Sequence, residues 1–168
     1  FLIRTNLSII NYNNLIFALI NLKTMFSKAC EYGIKATIHI GHQSKQGKRV
    51  SLKAVAGAID SPVAFTAKIL QSLAKDGIII STKGSTGGYE ILNQKNPKIT
   101  LLQIVNAIDG DKVYNGCGLG LKQCNAAKPC PLHHQFVLIR GNIKSMLETT
   151  TIEDLRDELH EGFSFLKR

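Results

Sequence analysis

The sequence predicts a mainly α-helical fold with one small β-hairpin. Apolar residues recur at three- and four-residue spacing in several segments, which is typical of amphipathic helices. One stretch, "IIISTKGSTGGYEIL", instead combines a β-branched run, a glycine-rich turn and a second short strand. With 168 residues, 44% of them hydrophobic, the chain can form one modest domain with an appendage but not two full domains.

The first 24 residues differ from the rest. They hold five asparagines and no glycine or acidic residue, and Arg4 precedes an apolar run that the asparagines interrupt. Because the asparagines interrupt this run and no small-residue cleavage site follows it, a signal peptide is not predicted, and the same asparagines argue against a membrane span. We expect residues 1–24 to be disordered or an artefact of start-site assignment, with Met25 as the natural start. The expected protein is cytoplasmic, with no membrane partner, and in that compartment clustered cysteines more often bind metal than form disulfides.

The positive charge is concentrated in residues 25–100. This segment has eleven basic and four acidic side chains, a net +7 of the total +9, whereas residues 101–168 are neutral. Such segregation favours a polyanionic partner for this segment, with nucleic acid, here double-stranded DNA, as the first choice and anionic lipid as the second.

Residues 25–100 have the order of elements expected of a DNA-binding domain. "FSKACEYGIKATIHIGHQS" predicts a first helix, and Ser51 caps a second helix, "LKAVAGAI". After the turn "IDS", Ser61 is the predicted N-cap and Pro62 the first residue of a third helix that ends at Gly77. Two short helices joined by a tight turn form a helix-turn-helix, and the hairpin that follows is the wing of a winged helix.

The predicted DNA contacts lie on the third helix and on the wing. The polar residues expected to be exposed on the helix or near its start are Ser61, Thr66, Lys68 and Gln71. Lys83 lies at the wing tip, where a cation can reach phosphates or the minor groove. The alternative is that each is an ordinary solvated surface residue.

Residues 131–168 are predicted to hold the dimer interface. A long helix should begin at Pro131, and a shorter helix and a tail should follow it. The long helix carries an apolar stripe, which is formed by Leu132, Phe136, Ile139, Ile143, Met146 and Leu147. Because no remaining segment of this half is large enough to cover the stripe, we expect a homodimer.

Residues 101–130 are predicted to form a short helix and a cysteine loop, "NGCGLGLKQCNAAKPC". Cys117, Cys124 and Cys130 are spaced C-x6-C-x5-C, and His133 follows three residues after the last thiol. Cys130 is predicted to be the N-cap of the long helix, whose dipole favours a thiolate. Three thiolates and an imidazole suit zinc or an iron–sulfur cluster, and the missing C-x2-C spacing shifts weight toward iron–sulfur. The alternative is a set of inert buried thiols, the role expected of Cys30 in the first helix.

Several of these stretches together resemble one family. "MFSKACEYGIKATIHI", "SPVAFTAKILQSLAKDGIIISTKGSTGGYEI" and three cysteines before a long helix resemble the IscR/NsrR family of winged-helix transcriptional regulators. The resemblance implies a dimer on a palindromic operator, with an iron–sulfur cluster that modulates DNA affinity. It also implies that Cys117, Cys124 and Cys130 are cluster ligands and that His133 completes a 2Fe–2S site. Glu31 from the other subunit is the alternative fourth ligand, so that 2Fe–2S is favoured and 4Fe–4S remains possible.

The expected function is therefore that of a dimeric transcriptional regulator that senses iron–sulfur, redox or nitric-oxide status through a cluster. The alternative is a zinc-bound or thiol-based redox-responsive regulator or interaction protein without iron. An enzyme is not expected, because the sequence contains no paired carboxylates, nucleophile–base set or phosphate loop.

Overall fold

A computed structural model of the chain describes residues 25–92, 98–122 and 124–160. The prediction for residues 1–24 and the predicted C-terminal tail lie outside these residues. No helix of the described residues is long and apolar enough to cross a bilayer.

The first three helices follow the predicted order. Helix α1 spans Lys28–Lys45 and begins at Ser27, whose hydroxyl accepts a hydrogen bond from the Cys30 amide at 3.1 Å. Helix α2 spans Leu52–Ile59, with Ser51 as its N-cap as predicted. It ends at Asp60, which has a left-handed backbone (φ 54°) and so turns the chain sharply toward the next helix.

Helix α3 spans Val63–Lys75 and begins one residue later than predicted. Pro62, not Ser61, is its N-cap, and no side chain caps the helix. The Ser61 hydroxyl is instead buried, without a hydrogen-bond partner among the described residues. Capping needs a side-chain oxygen next to the free amides of the first turn, and the extended backbone at Pro62 (ψ 134°) places Ser61 outside that position.

The wing is a two-stranded antiparallel hairpin. Strand β1, Ile80–Thr82, pairs with β2, Gly88–Glu90, so that Ser81 lies opposite Tyr89. On the other edge of β2, the Val50 amide donates to the Tyr89 carbonyl at 3.0 Å and the Tyr89 amide donates to the Val50 carbonyl at 2.9 Å. The segment before α2 is thus fixed to the wing. A side chain at Gly87 would collide with the Thr82 carbonyl oxygen, which explains the glycine in this turn.

The second half adds four helices. They are α4 (Leu101–Ile108), α5 (Lys112–Asn115), α6 (His133–Thr149) and α7 (Ile152–His160). Backbone hydrogen bonds join the segments that precede α4 and α7, from the Leu101 amide to the Thr150 carbonyl and from the Ile152 amide to the Ile99 carbonyl, both at 2.9 Å. Thr151 caps α7, because its hydroxyl accepts from the Asp154 amide.

Helix α6 begins at His133, not at Pro131 as predicted. Pro131 and Leu132 form a turn that closes when the His133 amide donates to the Cys130 carbonyl at 2.9 Å. Cys130 therefore precedes the helix and is not its N-cap. The prediction that the helix dipole acts directly on the Cys130 thiol was wrong, since that effect is confined to the first turn.

Helix α1 lies at the centre of the core and packs against α2, α3, α4 and α7. The largest fully buried side chains come from both halves of the chain and include Ile40, Leu70, Leu73, Ile104, Leu147 and Ile152. At Gly33 of α1, an added Cβ would collide with Ile108 of α4, so the two helices approach closely there. Next to this contact, the backbone amide and the hydroxyl of Ser27 both donate to the Asp109 carboxylate at the end of α4.

Candidate DNA-binding surface and cysteine site

Helix α3 exposes part of the surface that the sequence predicts. Lys68 and Gln71 are exposed on its outer side. Thr66 is fully buried, and its hydroxyl donates to the Pro62 carbonyl one turn earlier at 3.0 Å. The prediction that Thr66 is exposed was therefore wrong, because it lies on the same helix side as Ile69, Leu70 and Leu73.

Phe65 lies at the border of this surface. Its ring meets Tyr32 of α1 edge to face, with centroids 6.0 Å apart, and the residue stays 36% exposed. Val63, the first residue of the helix, is also exposed. The buried Ser61 hydroxyl is not available to a base edge in this arrangement. Among the predicted contacts on α3 or near its start, Lys68 and Gln71 thus remain accessible.

The wing presents Lys83 and brings two further cations to the same side of the domain. Lys83 is exposed and precedes Gly84, whose φ of 111° is a conformation that favours glycine. Because Val50 pairs with Tyr89, the exposed Lys48 and Arg49 lie beside the wing, and Arg49 Nε donates to Glu90 Oε1 at 2.8 Å. Neither Lys48 nor Arg49 is among the DNA contacts predicted from the sequence, although both contribute to the positive charge of residues 25–100.

The three loop cysteines and His133 form two pairs. The Cys117 and Cys130 thiols lie near each other, and Cys130 contributes to lowering the pKa of Cys117. The sulfur of Cys124 lies 3.3 Å from Nδ1 of His133, whose side chain is buried at the start of α6. No group of three His, Cys, Asp or Glu side chains within the described residues is arranged to hold one metal ion.

The local environment makes the loop thiols different from the core thiol. Backbone amides of Leu119 and Leu121 lower the pKa of Cys117, and the Cys130 side chain and the charge of Arg140 act in the same direction. In contrast, burial raises the pKa of Cys30 to about 12, and the neighbouring Asp109 adds to this effect. Cys30 is fully buried, as expected of a small core residue.

Arg140 on α6 contacts the cysteine loop at two points. Its Nη1 donates to the Gly116 carbonyl at 2.8 Å, and its Nη2 donates to the Cys124 sulfur at 3.2 Å. Arg140 was not among the predicted site residues, because its partners Gly116 and Cys124 lie 24 and 16 positions before it in the sequence. No local spacing rule connects such distant positions.

The chemistry of the donor set fits a soft metal centre. Three free thiols and an imidazole lie in or beside one loop, and each thiol is partly exposed. Such ligands suit zinc and iron–sulfur clusters. Glu31, the alternative fourth ligand, lies on α1, where its Oε2 accepts from Lys28 Nζ at 2.8 Å.

The apolar stripe of α6 divides into two parts. Leu147 is fully buried, and Ile143 packs against the core from a partly buried position. Large apolar side chains elsewhere on or just before the helix are exposed, and they are Leu132, Val137, Leu138, Ile139 and Met146. Leu138 is the most exposed of them, at 71%. The prediction of an uncovered stripe therefore agrees with the exposure of Leu132, Ile139 and Met146, but it was wrong for Leu147, which packs into the core of its own chain.

Comparison with known proteins identifies the fold and the family. A protein of Aquifex aeolicus inferred to be an HTH-type transcriptional regulator is 28% identical over 133 residues, which cover 78% of this chain and 90% of that protein. The structure of T. potens IscR matches with a TM-score of 0.64 at 20% identity, covering 88% of this chain and 95% of that chain. CymR, described as the global cysteine regulator of B. subtilis, matches with a TM-score of 0.63 at 22% identity, covering 79% and 95%.

These structural matches show the predicted winged-helix fold. The family model named Rrf2, described as an iron-dependent transcriptional regulator, matches residues 26–158. Its members are regulators and not enzymes, in agreement with the sequence prediction. Since the match covers most of the chain, the protein belongs to the Rrf2 family of DNA-binding transcriptional regulators.

Proposed function

We propose that this regulator binds a palindromic operator as a homodimer and that an iron–sulfur cluster at its cysteine loop changes its DNA affinity. The observation that carries the proposal is a set of four soft donors where one glycine-rich loop meets α6. Cys117 lies near Cys130, and Cys124 lies beside His133. Thiolates and imidazole are the ligands that such clusters use.

Each donor has a distinct part in the proposed site. The three cysteines would supply thiolates, and His133 would supply the fourth ligand of a 2Fe–2S centre through Nδ1, the nitrogen that faces Cys124. A 4Fe–4S centre with Glu31 of the partner subunit as fourth ligand is the variant of the same proposal. The bound cluster would supply reactivity toward oxidants and nitric oxide.

The proposed DNA surface consists of α3, the wing and the segment before α2. Lys68 and Gln71 would face the major groove, where glutamine can pair with adenine and lysine with guanine or phosphate. Lys83, Lys48 and Arg49 would bind backbone phosphates. Residues 25–100 carry a net charge of +7, which supports a polyanionic partner for this surface.

The proposed dimer forms through the exposed face of α6. Burial of side chains such as Val137, Leu138 and Ile139 against their copies would remove apolar surface from water. Two recognition helices related by a two-fold axis would read half-sites separated by one DNA turn, about 34 Å. In this arrangement residues 25–100 would bind DNA, residues 101–130 would hold the cluster and residues 131–168 would form the dimer interface.

The proposal is tested by anaerobic purification of the full chain. We expect a brown protein with iron and acid-labile sulfide in similar amounts, and loss of both in Cys124→Ala. Operator binding is then compared between loaded and metal-free protein at matched salt. Equal operator affinities would contradict the switch, and absence of iron after anaerobic reconstitution would contradict the cluster.

The second candidate is a thiol or zinc switch. It is favoured by the proximity of the Cys117 and Cys130 thiols. A peroxide would oxidise this pair, so that an S–S bond forms while both thiol hydrogens and two electrons reduce hydrogen peroxide to two waters, or an alkyl hydroperoxide to one alcohol and one water. This candidate predicts colourless protein that contains zinc at the same four donors, or a Cys117–Cys130 disulfide after peroxide treatment.

A further inference from the structure

We infer that Arg140 is a positioning residue that fastens the cysteine loop to α6 and holds Cys124 beside His133. The inference deepens the proposed function, because it rests on the cysteine loop being the regulatory site. The choice of Arg140 rests on its two hydrogen bonds to the loop.

The guanidinium of Arg140 connects two separate positions of the loop. Nη1 donates to the Gly116 carbonyl at 2.8 Å, directly before Cys117, and Nη2 donates to the Cys124 sulfur at 3.2 Å. The rigid planar fork fixes the two bonded atoms relative to each other. Arg140 thereby limits how far the backbone next to Cys117 and the side chain of Cys124 can separate.

The same helix face holds Cys124 from a second point. His133 and Arg140 are seven residues apart on α6, two turns of helix, so both side chains project from one side. Nδ1 of His133 lies 3.3 Å from the Cys124 sulfur, on which Arg140 also acts. Cys124 is therefore held between two side chains of one rigid element.

The alternative is an ordinary surface arginine with accidental contacts. Arg140 is partly buried, and both hydrogen bonds reach across the loop to partners far away in sequence. Its neighbour one turn later, Lys144, is exposed and pairs at 3.8 Å with Glu148 of the same helix. Lys144 thus provides a matched control, since it carries the same charge on the same helix without a recorded contact to the loop.

The experiment uses the full chain in its reduced, metal-free state. Wild type, Arg140→Lys, Arg140→Gln and Lys144→Gln are compared by amide hydrogen exchange of residues 117–122. The imidazole ¹⁵N signals of His133 are recorded as a second readout. Exchange in α1 and α3 serves as an internal reference, so that local loosening is distinguished from global unfolding.

We expect exchange in the loop to rise about tenfold or more in both Arg140 variants, since one ammonium cannot reproduce the planar fork. The His133 signals should shift in both variants, and Lys144→Gln should match wild type. Wild-type loop exchange in Arg140→Gln would overturn the inference. Wild-type exchange in Arg140→Lys alone would also overturn it, because charge without the fork would then be sufficient. Equal acceleration in α1 and α3 would count against it too, because Arg140 would then support the whole fold.

The test is independent of the bound metal. Wild type without iron would defeat the cluster proposal and leave the role of Arg140 in the loop intact. If wild type carries iron but loop exchange is unchanged in the Arg140 variants, the cluster proposal stands and the inferred role of Arg140 is wrong.

Discussion

The chain places similar apolar and thiol groups in two contrasting environments. In the helices that follow Met25, Cys30, Leu70 and Leu73 are fully buried and touch several elements. In the cysteine loop and α6, Leu119, Leu121 and Leu138 are at least half exposed, and the thiols lie near the surface. The first region is completed by its own contacts. The second leaves apolar side chains and thiols accessible, as expected of a surface that is completed by a ligand or a second subunit.

The largest expected difference concerns the thiols. At mildly alkaline pH in metal-free protein, iodoacetamide should modify Cys30 about a thousandfold more slowly than an unperturbed thiol, because its pKa is raised from 9.0 to about 12 and only the thiolate reacts. Cys117, with its lowered pKa, should react first. Cys30 labelling should increase with pH up to about 12. Mass spectrometry of a labelling time course measures both, with urea-unfolded protein as control. Equal labelling rates of Cys30 and Cys117 in folded protein would contradict the expected difference between the two thiols.

A core truncation should cost much more stability than the same truncation in the loop. Leu70→Ala removes a fully buried side chain, and we expect a loss of about 3 kcal/mol in the free energy of unfolding. Leu119→Ala, at a side chain that is half exposed, should change it by less than about 0.5 kcal/mol. Urea denaturation measures both values. A large loss in Leu119→Ala would mean that the loop is part of the core.

Placing a charge on the exposed face of α6 should weaken association. Leu138→Asp should raise the dimer dissociation constant about a hundredfold, because a buried unpaired carboxylate opposes burial of the helix face. Leu92→Asp, a similar change at an exposed leucine outside α6, should leave the constant unchanged. Sedimentation over a concentration series gives the constants. If Leu138→Asp associates like wild type, the dimer uses another surface.

Loss of one wing cation should have the smallest effect. Lys83→Ala should weaken operator binding about tenfold and lower the salt dependence by about one ion per subunit. Lys122→Ala, in the exposed cysteine loop, should change neither. Binding titrations at several salt concentrations measure both quantities. If the salt dependence of operator binding is unchanged in Lys83→Ala, the wing does not contact DNA through this residue.

Local patterns in the sequence predicted the elements better than the exact positions of side chains. Ser51 and the glycine-rich wing turn are defined by neighbouring residues, and the structure has them where predicted. The predicted exposure of Thr66 was wrong because the side of α3 that is buried depends on how the helix packs. The predicted N-cap role of Cys130 was wrong because the turn at Pro131 and Leu132 moves the start of α6 to His133. Arg140 could not be predicted at all, since its partners come close only after the loop has folded back on α6.

The two bonds from Ser27 to Asp109 have a mechanical consequence. Asp109 ends α4, and the chain continues through the single-turn α5 directly into Gly116 and Cys117. Ser27 begins α1, the helix against which α3 packs. The cysteine loop is therefore connected, through α5 and these two hydrogen bonds, to the first turn of the central helix. A displacement of the loop would act on α1, against which α3, the proposed DNA-reading helix, packs.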